Sequence, residues 1–278
     1  MKQLVVTGYA SLDYAVGLAG QAVADSTTLI ASRDVTAWPR AGGCPTYIAA
    51  AAHHAGLQAV PVMWVGRGHE AKVFTTAVAA LGLSVQGIGH CASTRSPTAL
   101  MLHQADGSTI CLYDPALDGA ERLTDAQRAL IGTASHLCIS VGPPQLMAAI
   151  LAACPSDARL YWAVKNDAVA FPLTLCARLS ARADVIFHNA SERGLIAPGR
   201  AILVETRGSA GVCVTDAGKV TTLPVQPIAP RDTTGAGDSF AGGYIAAEMS
   251  GANPIEAARA GIAAAAALLA SRAIRKAQ

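Results

Sequence analysis

The residues best equipped for chemistry lie together near the C-terminal end, in Arg231-Asp232-Thr233-Thr234-Gly235-Ala236-Gly237-Asp238-Ser239-Phe240-Ala241-Gly242-Gly243-Tyr244. The run follows a proline-punctuated loop, 223–230, and opens an apolar helix. Gly235, Ala236 and Gly237 carry little or no side chain, so the backbone can turn tightly and aim successive N–H groups into one cavity. A helix beginning there adds unpaired N–H groups and the positive end of its dipole. The product is an anion hole with the Asp238 carboxylate beside it. The residues leave two readings open. Asp238 could simply cap the helix, with the glycines making a turn. Alternatively, it takes a proton from a hydroxyl while the amides stabilise charge on a phosphoryl group in transit.

Such groups need a rigid frame. Short β-branched runs at 4–7, 60–65, 137–140, 160–163, 185–188, 202–205 and 211–215 alternate with Ala/Leu-rich helical stretches at 46–55, 71–80, 124–132, 144–152, 172–182 and 238–249. That rhythm predicts βαβ units and a mainly parallel sheet covered on both faces. Residues 11–39 and 93–113 break it; the second segment holds a hairpin signal, Ala105-Asp106-Gly107, between two short β runs. These segments are either ordinary surface hairpins or two halves of a small sheet over one edge of the domain, a lid that keeps water from a site where charge moves. Without a linker or composition shift, residues 1–278 are expected to form one domain with lid segments near 11–39 and 93–113.

Composition narrows the class. Apolar residues make up 52% and charged residues 14% of 278, the reverse of a disordered chain. A net charge of +2 without a run of five like charges argues against a nucleic-acid partner and a polybasic membrane anchor. The mean hydropathy of +0.36 raises the membrane class. However, the apolar stretch 260–270 is short for a span and mostly alanine, and the N-terminus reads as a first strand rather than a leader. No membrane association and a cytoplasmic location are the expectation. Seven scattered cysteines without a C-x-x-C pair fit small thiols in a reducing compartment. No Walker A, G-x-S-x-G or G-x-G-x-x-G motif occurs, and Lys165 reads as a solvated strand-end residue.

Asp232-Thr233-Thr234-Gly235-Ala236-Gly237-Asp238 resembles the C-terminal signature of the ribokinase, or PfkB, family of sugar and nucleoside kinases. Four further motifs follow the family's order. Gly8-Tyr9-Ala10-Ser11-Leu12-Asp13 resembles the first strand and its substrate-binding Asp. Ala41-Gly42-Gly43-Cys44-Pro45-Thr46-Tyr47 resembles the glycine pair opening the helix at the sugar site. His188-Asn189-Ala190-Ser191-Glu192 has the N-x-x-E form, and Thr206-Arg207-Gly208-Ser209-Ala210-Gly211 resembles the nucleotide turn. The resemblance implies an α/β fold: a ribokinase-like three-layer αβα sandwich with a mainly parallel central sheet and a small β-sheet lid.

The same resemblance implies ATP-dependent phosphorylation of a hydroxyl on a small sugar. Asp238 would be the general base and Gly235, Ala236 and Gly237 the anion hole. Asp13, Gly42, Gly43 and Tyr47 would bind substrate. Asn189, Thr206, Gly208 and Gly211 would bind ATP, and Glu192 would organise Mg²⁺ through water. A monovalent cation is implied near Asp232, and a homodimer through the lid. A nucleoside kinase and a non-catalytic sugar or nucleotide sensor are the alternatives. Three departures stand out. Tyr47 replaces a common Asn and could stack on substrate or be core. Cys44 replaces the Lys of phosphosugar kinases, which disfavours a phosphorylated substrate. Ile262 replaces a nucleotide-contacting Asn, which predicts a mainly apolar adenine contact.

Overall fold

Strand side chains alternate with period two, and helices cover each half of the alternation. The computed structural model describes residues 3–33, 38–226, 228 and 232–273. Arg231, three residues of the proline-punctuated loop (227, 229 and 230) and residues 34–37 of the first expected lid segment lie outside them. The chain runs through β1 (Leu4–Thr7), β2 (Ser11–Leu18), β3 (Ile30–Arg33), β4 (Arg40–Gly42), α1 (Cys44–His54), β5 (Ala59–Val65) and α2 (His69–Ala80). It continues through β6 (Ile88–His90), β7 (Thr98–His103), β8 (Thr109–Asp114), α3 (Asp125–Gly132), β9 (His136–Ile139), α4 (Pro144–Ala153) and β10 (Arg159–Ala163). The last part holds α5 (Leu173–Arg182), β11 (Val185–Asn189), β12 (Ile202–Thr206), β13 (Val212–Asp216), β14 (Lys219–Leu223), α6 (Ala236–Met249) and α7 (Pro254–Ala273).

Nine strands form the main sheet in the order β14-β13-β12-β11-β10-β9-β1-β5-β6. Neighbours from β12 to β6 are parallel, and only β13 and β14 join antiparallel. Leu4 and Val6 of β1, with Tyr161 and Ala163 of β10, pack on Ile48 of α1, Phe74 of α2, Tyr244 of α6 and Ala257 of α7. Val5, with Leu160 and Trp162, packs on Ile131 of α3, Met147 of α4 and Leu179 of α5. Both faces of these strands are therefore buried, so they read as unbroken apolar runs in the sequence. The result is the expected three-layer αβα arrangement.

The two irregular segments pair into one small sheet, β3-β2-β7-β8, with β4 joined to β2. The hairpin signal is met by β7 and β8, His103 opposite Thr109, with Gly107 supplying φ 86° in the turn. β2 runs parallel to β7 and places Asp13 opposite Ala99.

The sheet-edge strands β6 and β14 and the helix α7 were not anticipated. α7 was not read as a helix because its near-uniform alanine gives no apolar stripe. By length and composition its 254–272 stretch is apolar enough to cross a membrane, longer than the 260–270 run counted in the sequence. Here it lies close against α6: a Cβ built on Gly243 would stand 2.6 Å from the Ala264 side chain, and one on Gly261 2.7 Å from the Phe240 carbonyl. Small residues at the crossing permit that approach.

Candidate active site

Gly235, at φ 76°, ends the loop 232–235 and starts α6, with Asp238 in its first turn. Asp238 is buried, and its Oδ1 lies 3.4 Å from Lys165 Nζ. The Lys165 side chain is 37% exposed, as a strand-end residue should be, but the sequence did not show its ion-pair partner Asp238. Lys165 follows β10 at the end of the parallel sheet where ligands collect, and its ammonium is held charged chiefly by Asp238. Burial, with Asp238 close by, pushes the Cys44 thiol up and keeps it neutral.

The three expected amides are not equivalent. Ala236 N donates to Thr233 O at 3.1 Å, so the three-amide hole is corrected in this state to two. Gly235 N and Gly237 N have no carbonyl partner among the described residues. The space over Gly237 is open, since a Cβ there would meet nothing within 4 Å; on Gly235 it would stand 2.6 Å from the Tyr47 ring. The loop therefore rests on Tyr47.

Tyr47 leads to the second carboxylate. Asp13 on β2 is 3% exposed. Its Oδ1 accepts from the Ser11 hydroxyl, its Oδ2 accepts from Tyr47 OH at 3.0 Å, and Arg40 Nε lies 4.0 Å from Oδ2. Burial raises its pKa; Ser11, Arg40 and Tyr47 pull the other way. A Cβ on Gly42 would fall 2.2 Å from this carboxylate, and one on Gly43, at φ 88°, 2.1 Å from Tyr9 O. The glycine pair is thus required by what it packs against. Tyr47 is buried with its hydroxyl committed to Asp13. That corrects the reading of its ring as a stacking surface for substrate.

Thr206, Gly208 and Gly211 wall a cavity of about 360 Å³ that also reaches Ala236, Gly237 and Phe240. Ile262, Ala265, Ala266 and Leu269 of α7 line it as well, an apolar surface. Gly208 and Gly211 take φ 55° and 95°. Asn189 and Glu192 are not among the walls. They form a capping box over the 3₁₀ turn Ala190–Leu195: Asn189 Oδ1 accepts from Ser191 N and Glu192 N, and Glu192 Oε2 accepts from Asn189 N at 2.9 Å. Burial raises the Glu192 pKa, against Lys165, which lowers it. Among the described residues, no three His, Cys, Asp or Glu side chains gather as a metal cage.

Sequence reasoning missed the side chains around Asp232. Arg40 Nη1 lies 2.6 Å from its Oδ2; His103 Nε2 and Arg272 Nη1 lie 3.1 and 3.2 Å from its Oδ1. Burial would raise the Asp232 pKa, but His103, Arg40 and Arg272 hold it well below the usual carboxylate range. These residues come from β7, β4 and α7, and no local pattern joins them. Ser11 was legible in principle, because period two puts it on the Asp13 face of one strand.

A family model described as pfkB family carbohydrate kinase matches residues 189–276. No curated protein matches the chain. Solved structures match over nearly all of it. Ribokinase from Cryptococcus neoformans in complex with ADP superposes with a TM-score of 0.81 at 19% identity, covering 97% of this chain and 94% of that one. The nucleoside kinase of Burkholderia thailandensis in complex with inosine gives 0.79 at 18%, covering 96% and 91%. Ribokinase from Arabidopsis thaliana complexed with ribose and ATP gives 0.78 at 19%, covering 100% and 95%. The chain therefore has the ribokinase fold, and its residues 189–276 match the pfkB carbohydrate kinase family.

Proposed function

We propose that the chain is an ATP-dependent kinase that phosphorylates a hydroxyl of a small sugar. One observation carries this reading: Asp13, Tyr47 and Gly235 are in unbroken contact, so a carboxylate suited to hydroxyls is coupled to the loop that bears two free amides and Asp238. A buried carboxylate with two oxygens can accept from two hydroxyls of a polyol and fix its orientation. Asp238 then accepts the proton of the reacting hydroxyl, while Gly235 N and Gly237 N donate to oxygens of the transferring group. Lys165, already charged beside Asp238, adds positive charge where negative charge develops.

Thr206, Gly208 and Gly211 shape the phosphate side of the nucleotide cavity, and the α7 wall holds the base by apolar contact. Mg²⁺ fits a water-mediated role here, since Glu192 and Asp238 offer carboxylates around Lys165 without a protein cage; it would neutralise charge on the phosphates. The relatives bound to ADP, and to ribose and ATP, support this reading. The buried Tyr47 removes the ring that favoured a nucleoside, and a mere sensor has no use for the Asp238–Lys165 pair. One domain and a cytoplasmic setting belong to the same proposal, consistent with seven free thiols. The lid exposes Ile30, Leu100 and Leu112, the last two directly opposite each other, which supports a homodimer through that face. A monomer in light scattering at micromolar concentration would refute the dimer.

The test is ADP release across a panel of sugars and nucleosides with ATP and Mg²⁺. Turnover on a sugar is expected. Saturable binding without turnover by any ligand would replace the kinase with a sensor.

A further inference from the structure

The resemblance carries the expectation of a monovalent cation near Asp232, and the chain's own side chains bear on it. A weakly bound alkali ion needs several oxygens that no donor already occupies, and net negative charge nearby strengthens its binding. Among the described residues, the oxygens on offer are the Asp232 carboxylate, the Asp232 carbonyl, the Thr234 carbonyl and the Thr234 hydroxyl. All but the Thr234 hydroxyl, one neutral oxygen that is too few to hold an ion alone, already face a donor. Arg272 Nη1 lies 3.2 Å from Asp232 Oδ1 and 3.5 Å from Asp232 O, and it also donates to Thr234 O. Arg40 Nη1 donates to Asp232 Oδ2 at 2.6 Å, and Thr234 N donates to Oδ1 at 2.8 Å.

The charge count closes as well. The cluster holds two carboxylates, Asp13 and Asp232, and two guanidinium groups, Arg40 and Arg272, so no negative charge remains to draw in an ion. The Arg272 side chain is 13% exposed, and its guanidinium carbon stands 5.7 Å from the centre of the Tyr47 ring. One cation thus touches both supports of the anion-hole loop: the carbonyls of 232 and 234 above and the ring under Gly235 below.

We infer that the Arg272 guanidinium takes the place of the monovalent cation, a built-in positive charge that holds loop 232–235 and makes the protein independent of potassium and sodium. Arg272 is a positioning residue, acting through the loop. It comes from the last turn of α7, whose earlier turns wall the nucleotide cavity. The same helix therefore closes the nucleotide site and steadies the amides.

The first test needs neither a variant nor turnover. Melting curves of the full chain are recorded in potassium, sodium and choline chloride at equal ionic strength. Equal Tm values are expected; a saturable rise with potassium or sodium over choline would overturn the inference, because an ion that binds the native state raises Tm. The second test uses Arg272→Ala and Arg272→Lys, checked for folding by circular dichroism. Arg272→Ala should melt lower and gain a potassium-specific, saturable recovery, while Arg272→Lys stays ion-independent. A folded Arg272→Ala that melts as the parent does and ignores potassium would also overturn it. If Arg272→Ala does not fold, the parent melt and Arg272→Lys still decide. The kinetic arm rests on the kinase reading. There kcat of Arg272→Ala should fall about tenfold to a hundredfold through a misplaced loop and return with potassium. The melting arms are blind to turnover, so a failed kinase assignment and a failed cation assignment give different results.

Discussion

Removing one hydroxyl, in Tyr47→Phe, probes the junction on which the proposed chemistry depends. The substitution deletes the 3.0 Å donation from Tyr47 OH to Asp13 Oδ2 and keeps the ring beneath Gly235. A hydrogen bond to a charged group contributes about 1.5–3 kcal/mol, and Asp13 is too buried for water to replace the donor. For a domain of this size that loss lowers Tm by about 3–5 °C. The hydroxyl is also one of the groups pulling the Asp13 pKa down against burial. Without it, Asp13 holds its proton to higher pH and accepts from sugar hydroxyls over a narrower range. The sugar KM should therefore rise severalfold, up to about thirtyfold for 2 kcal/mol, with its acid limb moved to the alkaline side. KM for ATP should stay within about twofold, because the ring still supports the loop. Tyr47→Ala should lower kcat too, because Gly235 then loses the surface it rests on. Steady-state kinetics from pH 5 to 9 with both substrates varied measures all of this. Equal changes in the two KM values, or an unmoved acid limb, would refute the coupling.

Asp238→Asn should abolish turnover while ligand affinity survives within about tenfold, since it keeps the shape and loses the proton acceptor; full activity would remove Asp238 from the mechanism. Lys165→Met should lower kcat by about 10²-fold, comparable to loss of one charge-stabilising donor, with little change in sugar KM; unaltered kcat would return Lys165 to a packing role. Buried Asp13 and half-buried Asp232 should respond to pH with opposite sign. The raised Asp13 pKa means that the folded state binds the proton more tightly than the unfolded one, so ionised Asp13 costs stability as pH rises through the folded value. Asp13→Asn should thus raise Tm at pH 7, and the gain should fade as pH falls from the raised folded value towards the ordinary 3.8. The lowered Asp232 pKa stabilises the fold above the unfolded value, so Asp232→Asn should lower Tm at pH 7, with the difference shrinking below that same pH. Thermal melts of both variants between pH 3 and 8 test this, and differences of one sign would sink it.

The central strands and the helices between them, the mainly parallel sheet and the lid hairpin were legible along the chain, whereas the short edge strands β6 and β14 were not. What was legible depends on local periodicity: Leu4, Val5 and Val6 read as a buried strand because both faces are covered, and Ala105-Asp106-Gly107 reads as a turn because Gly107 alone tolerates its φ. The glycine loop, Asp238, Asp13 and the Gly42–Gly43 pair were legible for a similar reason, as short motifs whose backbone demands are local. α7 escaped because alanine packs on any face and so leaves no period. Only the tertiary structure decided what Tyr47, Lys165, Arg40, His103 and Arg272 do. Lys165 reads as a solvent-facing strand end until the sheet brings it to 3.4 Å from Asp238. Tyr47 reads as either a stacking ring or a core residue until the small sheet places Asp13 over its hydroxyl. Arg272, 40 residues after Asp232, becomes its partner only when α7 folds back along α6. Charge pairing acts through space over a few ångströms, and sequence separation carries no information about it.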